Sequence, residues 1–156
     1  MYRTHTAVAG ALALAAVTSA LAAQEHSPVV GAWVIEEVES EGQTMNQPGL
    51  IIFTSTHYSI MFGTGDGPRA RYEGEDMTDA ETVAAYGTFV ANSGRYEVNG
   101  NEITTRAFVA KDPNYMRDWP DNAETLPFHI DGDVMHLEWA VFKFTLRKVE
   151  GEPTPW

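Results

Sequence analysis

Two histidines and a glutamate in the last third of the chain are the first residues whose types suit a chemical site. His129, His136 and Glu138 flank an Asp131-Gly132 pair, and they share one face if the two segments form a β-hairpin. Two imidazoles and a carboxylate are a set that can bind zinc. The opposite face carries the apolar side chains that a core requires, so the three polar side chains are predicted to face solvent. No metal is expected there.

Carboxylates and loop motifs are the next features that could support catalysis. Acidic residues cluster around Glu36 on the first strand and again in segment 73–79, and such runs are usually solvated surface. The glycines of segment 63–67 precede no helix, which excludes a dinucleotide-binding loop. A Gly-x-Ser-x-Gly elbow is also missing from the sequence. These patterns identify no catalytic residue and predict no cofactor.

Aromatic side chains give a clearer indication of a binding site. With the strand registers described below, several of them and one hydroxyl group face the interior of the fold. These candidate ligand-binding residues are Trp33, Phe53, Tyr58, Tyr96, Thr105, Phe128 and Trp139. Apolar walls with a few hydroxyls suit a small hydrophobic or amphipathic ligand. A fully packed interior is the alternative. Tyr72, Tyr115 and Trp119, in two long loops, either gate the opening or pack against it.

Two hairpins must position these residues. In the first, Asn99-Gly100 is the predicted two-residue turn, because both residue types tolerate the positive φ angles of a type I′ turn. This register pairs Tyr96 with Ile103. In the second, Asp131-Gly132 or Gly132-Asp133 forms the turn, and both choices leave the same residues on each face. The predicted inward faces are Tyr96, Val98, Ile103, Thr105, Ala107 and Val109, and Leu126, Phe128, Ile130, Met135, Leu137 and Trp139.

The remaining segments predict further strands and one helix. Segments 50–53 and 58–62 form a hairpin that is apolar on both faces and therefore needs cover. A helix that starts at Thr78 or Asp79 and runs to about Ala91 is expected to lie across this hairpin or to close one end of the barrel. The fold class is thus all-β, a small antiparallel up-and-down β-barrel of about eight strands with one short helix. A half-open barrel or a two-sheet sandwich is the alternative.

Composition and the first residues suggest where the protein acts. The 22 acidic and 10 basic residues give a net charge of -12, which disfavours nucleic-acid partners. Cysteine is absent, which excludes disulfides and thiolate sites. Residues 1–22 resemble a bacterial signal peptide that is cleaved before Ala23, so the protein is expected to be periplasmic or secreted, without membrane insertion afterwards. The predicted organisation is a signal peptide over 1–22, a barrel domain over 23–149 and a flexible tail over 150–156.

Several short motifs together resemble the bacterial lipocalin-like domain family. They are Gly31-x-Trp33, Gly49-Leu50-Ile51-Ile52-Phe53 before a turn and Tyr58-Ser59, Ser93-Gly94-x-Tyr96-Glu97-Val98, and Pro113-Asn114-Tyr115. The resemblance covers roughly residues 29–149 and implies a small antiparallel barrel with an apolar cavity. Two positions differ from the family pattern, because Thr104-Thr105 stands where members carry histidine and His57 replaces a turn glycine. A role for that family histidine therefore does not carry over.

Three functions are compatible with this sequence. The first is a secreted lipocalin-like protein that binds a small hydrophobic or amphipathic ligand in the barrel interior. The second is a small barrel enzyme, a cyclase or isomerase, which would need Glu36 or a buried tyrosine with a shifted pKa inside the barrel. The third is an envelope protein whose acidic outer face meets a basic partner. The ligand and the oligomeric state are left open by the sequence.

Overall fold

The computed structural model of the chain describes residues 27–65, 69, 71–72, 74 and 76–149. The predicted signal peptide and the predicted tail lie outside these residues. The strands are β1 (Gly31–Ser40), β2 (Gln43–Met45), β3 (Gly49–Phe53), β4 (His57–Gly63), β5 (Phe89–Asn99), β6 (Glu102–Ala110), β7 (Ala123–Asp131), β8 (Val134–Trp139) and β9 (Phe142–Lys148). The helices are α1 (Asp79–Gly87) and the 3₁₀ helix Pro113–Met116. Over the described ranges, no helix is long and apolar enough to cross a bilayer.

Eight of the strands form a closed barrel. From β3 to β9 each strand pairs with the next one in antiparallel fashion, and β1 pairs with both β3 and β9. Closure leaves the eight strands without free edges. The remaining strand, β2, pairs with the end of β1 at Val38–Ser40. The predicted antiparallel up-and-down barrel with one short α-helix is confirmed.

The first strand shows how the barrel keeps its core on one side despite an acidic sequence. Trp33, Ile35 and Val38 are buried, although the last two are three residues apart. A register shift between Ile35 and Glu37 explains this spacing, since the bulged strand leaves both Glu36 and Glu37 outside before the alternation resumes. The core therefore continues along the whole strand.

The turn of the β5–β6 hairpin differs from the prediction. Asn99 pairs with Glu102, so the two turn residues are Gly100 and Asn101, and Tyr96 lies opposite Thr105 rather than Ile103. Gly100 has a φ of 60°, which fits its place in the turn. The predicted register was wrong by two residues. Because side chains alternate with a period of two, this error moved no residue to the other face.

A second difference in this hairpin did change a face. Val109 was predicted to point inward, but 53% of it is exposed. The register shifts at Ser93 and Gly94, where Ser93 pairs with Val109 and Gly94 with Ala107, so that Phe108 is an extra residue on β6. The bulge turns Val109 outward and returns Ala110 to the inner face opposite Asn92.

The β7–β8 hairpin follows the prediction closely. Asp131 pairs with Val134, so Gly132 and Asp133 form the turn, the second of the two predicted choices. The predicted apolar face is buried or half-buried, and His129, His136 and Glu138 are exposed on the outside. In the part of the chain that the structure describes, no group of three His, Asp or Glu residues is placed to hold a metal ion.

The helix begins where predicted but ends early. Thr78 and Glu81 form a reciprocal capping box at its start, and the helix stops at Gly87. Phe89 and Val90 belong instead to β5, where backbone pairing with β4 satisfies their peptide groups. No residue of the helix is buried, and Met61 on the outer face of β4 is 41% exposed. The helix therefore does not cover the β3–β4 hairpin, which was one of its two expected positions.

Candidate functional site

The predicted ligand-binding residues all point toward the barrel interior. Six of them are buried: Trp33, Phe53, Tyr58, Tyr96, Thr105 and Trp139. Phe128 is half-buried and packs against the same core. Their predicted orientation is confirmed, because the alternation of each strand survives the register changes described above. Their contact with a ligand stays a prediction.

One end of the barrel, where β1 begins, is filled by these side chains. The Trp33 indole donates a hydrogen bond to the carbonyl of Val29 at 2.8 Å, and the Lys148 ammonium lies 5.2 Å from the centre of its rings. Phe53 packs edge-on against Tyr96 at 5.0 Å. The Tyr96 hydroxyl donates to the carbonyl of Thr54, and burial raises its pKa from 10.0 to about 12. This end is a packed floor.

The other end of the barrel is open. A cavity of about 260 Å³, called here the mouth cavity, lies where β5 begins and β6 and β8 end. It is lined by Phe89, Val90, Ala91, Asn92, Ala110, Lys111, Asp112, Tyr115, Trp139, Ala140 and Phe142. Below it lies an inner void of about 20 Å³, lined by Ile51, Phe53, Tyr58, Ile60, Asn92, Thr105, Leu126, Leu137 and Trp139. The inner void has room for about one water molecule, whereas the mouth cavity approaches the size of a small-ligand site.

The two cavities divide the predicted residue set. Trp139 lines both of them, as does Asn92. Phe53, Tyr58 and Thr105 line the inner void, whereas Trp33, Tyr96 and Phe128 line neither cavity. The space able to hold a molecule larger than water therefore lies above most of the predicted residues.

A carboxylate inside the barrel fixes two aromatic side chains that lie between the mouth cavity and the inner void. Glu124 accepts hydrogen bonds from the Tyr115 hydroxyl and from the Trp139 indole nitrogen, the latter at 2.5 Å. The rings of Tyr115 and Trp139 are perpendicular, with centres 5.5 Å apart. Asn122 secures the segment further by donating to the carbonyls of Tyr115, at 2.9 Å, and Ala107, at 2.8 Å. Tyr115 is thus fixed as the inner wall of the mouth cavity.

The tyrosines of this cluster are poor acids. Burial raises the pKa of Tyr115 well above its ordinary value, and its hydrogen bond to the Glu124 carboxylate raises it further. Burial likewise raises the pKa of Tyr58, with Glu124 adding to the rise and the hydroxyl of Thr105 opposing it. Both phenols are therefore neutral throughout the physiological range, and Tyr115 acts as a hydrogen-bond donor.

Glu124 was not identified from the sequence, although a signal was present. It precedes Leu126 by two residues and so shares the inward face of that strand. For an enzyme, the sequence offered Glu36 or a buried tyrosine as the ionisable group inside the barrel, but Glu36 lies outside and pairs with Arg147 at 2.6 Å. Glu124 lines neither cavity, and its two donors hold it behind Tyr115 and Trp139. The arrangement suits an anchor for the wall better than a catalytic base.

Comparison with known proteins gives similarity of fold only. No protein-family model matches the sequence, and no curated protein matches it significantly. The chain is similar to the crystal structure of a lipocalin-like protein from Bacteroides uniformis ATCC 8492, with 16% identity and a TM-score of 0.48 over 79% of this chain and 100% of that one. It is also similar to an uncharacterized protein from Bacteroides eggerthii DSM 20697, with 14% identity and a TM-score of 0.46 over 78% of this chain and 99% of that one. One of these structures carries the lipocalin-like description that the sequence motifs predicted.

Proposed function

We propose that this chain is a lipocalin-like binding protein that takes up a small apolar or amphipathic molecule at the mouth cavity of its barrel. The observation that carries the proposal is a cavity of about 260 Å³, most of whose lining residues are aromatic or aliphatic and which opens at one end of the barrel. Concave sites with mostly apolar walls and few polar groups are typical of small-molecule binding. The ligand would rest on Phe89, Val90 and Phe142, with Tyr115 and Trp139 beneath it.

The mouth cavity is favoured over the deep interior because of the volume that each offers. Tyr58, Thr105 and Trp139 surround the inner void, but that void holds about 20 Å³. An eight-stranded barrel is just wide enough for its own side chains, so large aromatics leave little space at its centre. The ligand therefore enters only as far as the Tyr115–Trp139 wall unless that wall moves.

A variant that fills the mouth cavity tests this proposal. Ala110 ends β6 on the inner face and lines the cavity, so Ala110→Trp is expected to occupy the space of the ligand. We expect the affinity for the neutral fluorescent probe Nile red to fall by about tenfold or more, a loss of roughly 1.4 kcal/mol. His136→Trp adds the same side chain to the outer face of β8 and serves as the control. Equal probe binding by the wild type and a folded Ala110→Trp protein would contradict the proposal.

The proposal includes export from the cytoplasm. It is supported by residues 1–22, in which Arg3 precedes a run of small and apolar residues that ends at Ala20-Leu21-Ala22. When the full chain is expressed in a Gram-negative host, we expect the periplasmic fraction to contain a product that begins at Ala23. Mass spectrometry of the fractions measures this directly. An uncleaved chain confined to the cytoplasm would disprove export.

A further inference from the structure

We propose that the ligand of the mouth cavity is electrically neutral and presents one hydroxyl, carbonyl or carboxamide group to Asn92. This inference rests on the proposed function, since it specifies the chemistry of the same site. It follows from three features of the cavity, namely a buried amide, two cations that are already engaged and two carboxylates that are already engaged.

Asn92 is the polar group best placed to meet a ligand. It lies on the inner face of β5 opposite Ala110, lines both cavities and is only 5% exposed. Among the described residues, its side chain has no hydrogen-bond partner, and the amide faces the two cavities. A neutral hydrogen-bonding group of a ligand in either cavity would find in this amide a donor and an acceptor that no described residue uses.

The cations beside the cavity are already engaged. The Lys111 ammonium donates to the carbonyls of Phe89, at 2.6 Å, and Tyr86, and it lies 3.9 Å from the centre of the Tyr86 ring. Arg69 lies over the ring of Phe89 at 5.0 Å and donates to the carbonyl of Ala85 at 2.9 Å. Of the two, only Lys111 lines the cavity, and because its three N–H donors meet two carbonyls and the Tyr86 ring, a ligand carboxylate would compete with these partners. The pocket therefore offers no preformed site for an anion.

The carboxylates near the cavity are engaged as well. Glu124 already accepts from Tyr115 and Trp139, and Asp112 accepts from the backbone nitrogen of Asn114 at 2.9 Å. A ligand ammonium would also meet the charge of Lys111 in the cavity wall. Moving either kind of charge into an apolar pocket without a committed partner costs more than moving a neutral group. The polar contact that remains for a ligand is thus a hydrogen bond with the neutral amide of Asn92, which favours a neutral ligand.

Three probes with the same apolar chain test the inference. Octanol, octanoate and octylammonium, each below its micelle concentration, are titrated into the protein by calorimetry at neutral pH. We expect octanol to bind about tenfold more tightly than either ion, because a hydrogen bond to a buried amide and an unpaired charge each change the affinity by about this factor. Asn92→Leu should lose about tenfold in octanol affinity, whereas Asn99→Leu, at an exposed position of the same strand, should bind as the wild type does.

The outcomes separate this inference from the proposed function. If octanoate or octylammonium binds as tightly as octanol, or if a folded Asn92→Leu protein binds octanol unchanged, the neutral-ligand inference is wrong while the binding function stands. If none of the three probes binds and Ala110→Trp leaves Nile red binding unaffected, both proposals fail. Circular dichroism of each variant confirms that it is folded before titration.

Discussion

Replacing Gly94 by alanine is expected to destabilise the barrel by about 3 kcal/mol or more. A Cβ atom at this position would lie 1.9 Å from the carbonyl oxygen of Arg106 and 2.8 Å from the Cα of Ala107. Both atoms belong to the backbone of β6 at its bulge, so neither is able to rotate away as a side-chain end would. Urea denaturation followed by tryptophan fluorescence measures the change in the free energy of unfolding.

Gly87→Ala is the matched control for this substitution. No atom lies within 4 Å of a Cβ built at Gly87, which is the last residue of α1. Alanine is there expected to be neutral or to stabilise by about 0.4–1 kcal/mol, because it restricts the unfolded chain and favours the helix. If Gly94→Ala proves as stable as Gly87→Ala, the close approach of β5 and β6 at the bulge is not as described.

Removing the interior carboxylate is expected to have the second largest effect. Glu124→Leu leaves the Tyr115 hydroxyl and the Trp139 indole nitrogen without their acceptor, at a combined cost of about 2–4 kcal/mol. The same change should loosen the wall of the mouth cavity and shift the emission of Trp139, which is seen by comparing fluorescence spectra of the folded proteins. Equilibrium unfolding gives the free-energy change.

Two further variants distinguish the loss of these two hydrogen bonds from the general effect of removing an acidic side chain on stability. Glu124→Gln keeps one amide oxygen as an acceptor and should lose only about 1 kcal/mol. Glu138→Leu removes an exposed acid from the outer face of β8 and should change stability by no more than about 0.5 kcal/mol. If Glu124→Leu lowers the free energy of unfolding no more than Glu138→Leu does, then the two hydrogen bonds do not stabilise the positions of Tyr115 and Trp139.

The contact between Tyr115 and Glu124 also bears on how deeply a ligand would enter the barrel. Tyr115 stands on a four-residue 3₁₀ helix whose start is capped by Asp112, and its hydroxyl reaches down to Glu124. Because Asn92 and Trp139 line both cavities, displacement of Tyr115 would join the mouth cavity to the inner void. Weakening the Glu124 contacts should therefore change the depth to which a ligand enters as well as the stability of the barrel.

Local patterns predicted most of what depends on strand alternation. The inward orientation of Tyr96, Thr105 and Trp139 was correct even though the first turn was placed wrongly, because a register error of two residues preserves the faces of a strand. The start of the helix was equally local, and Thr78, one of the two residues predicted to cap it, is the N-cap. Where a bulge inserted one residue, as at Phe108, the same reasoning failed for Val109.

The sequence by itself determined the fold class, the hairpins and the inward orientation of the seven candidate ligand-binding residues, since these follow from side-chain periodicity and turn chemistry within a few residues. Only the tertiary structure decided where space remains. Whether Trp33 and Tyr96 enclose a cavity or fill it depends on how tightly eight strands close, and the anchoring of Tyr115 by Glu124 joins residues that meet only after the 3₁₀ helix folds over the barrel. A cavity is the volume left over by all the surrounding side chains, so no single segment of the chain encodes it.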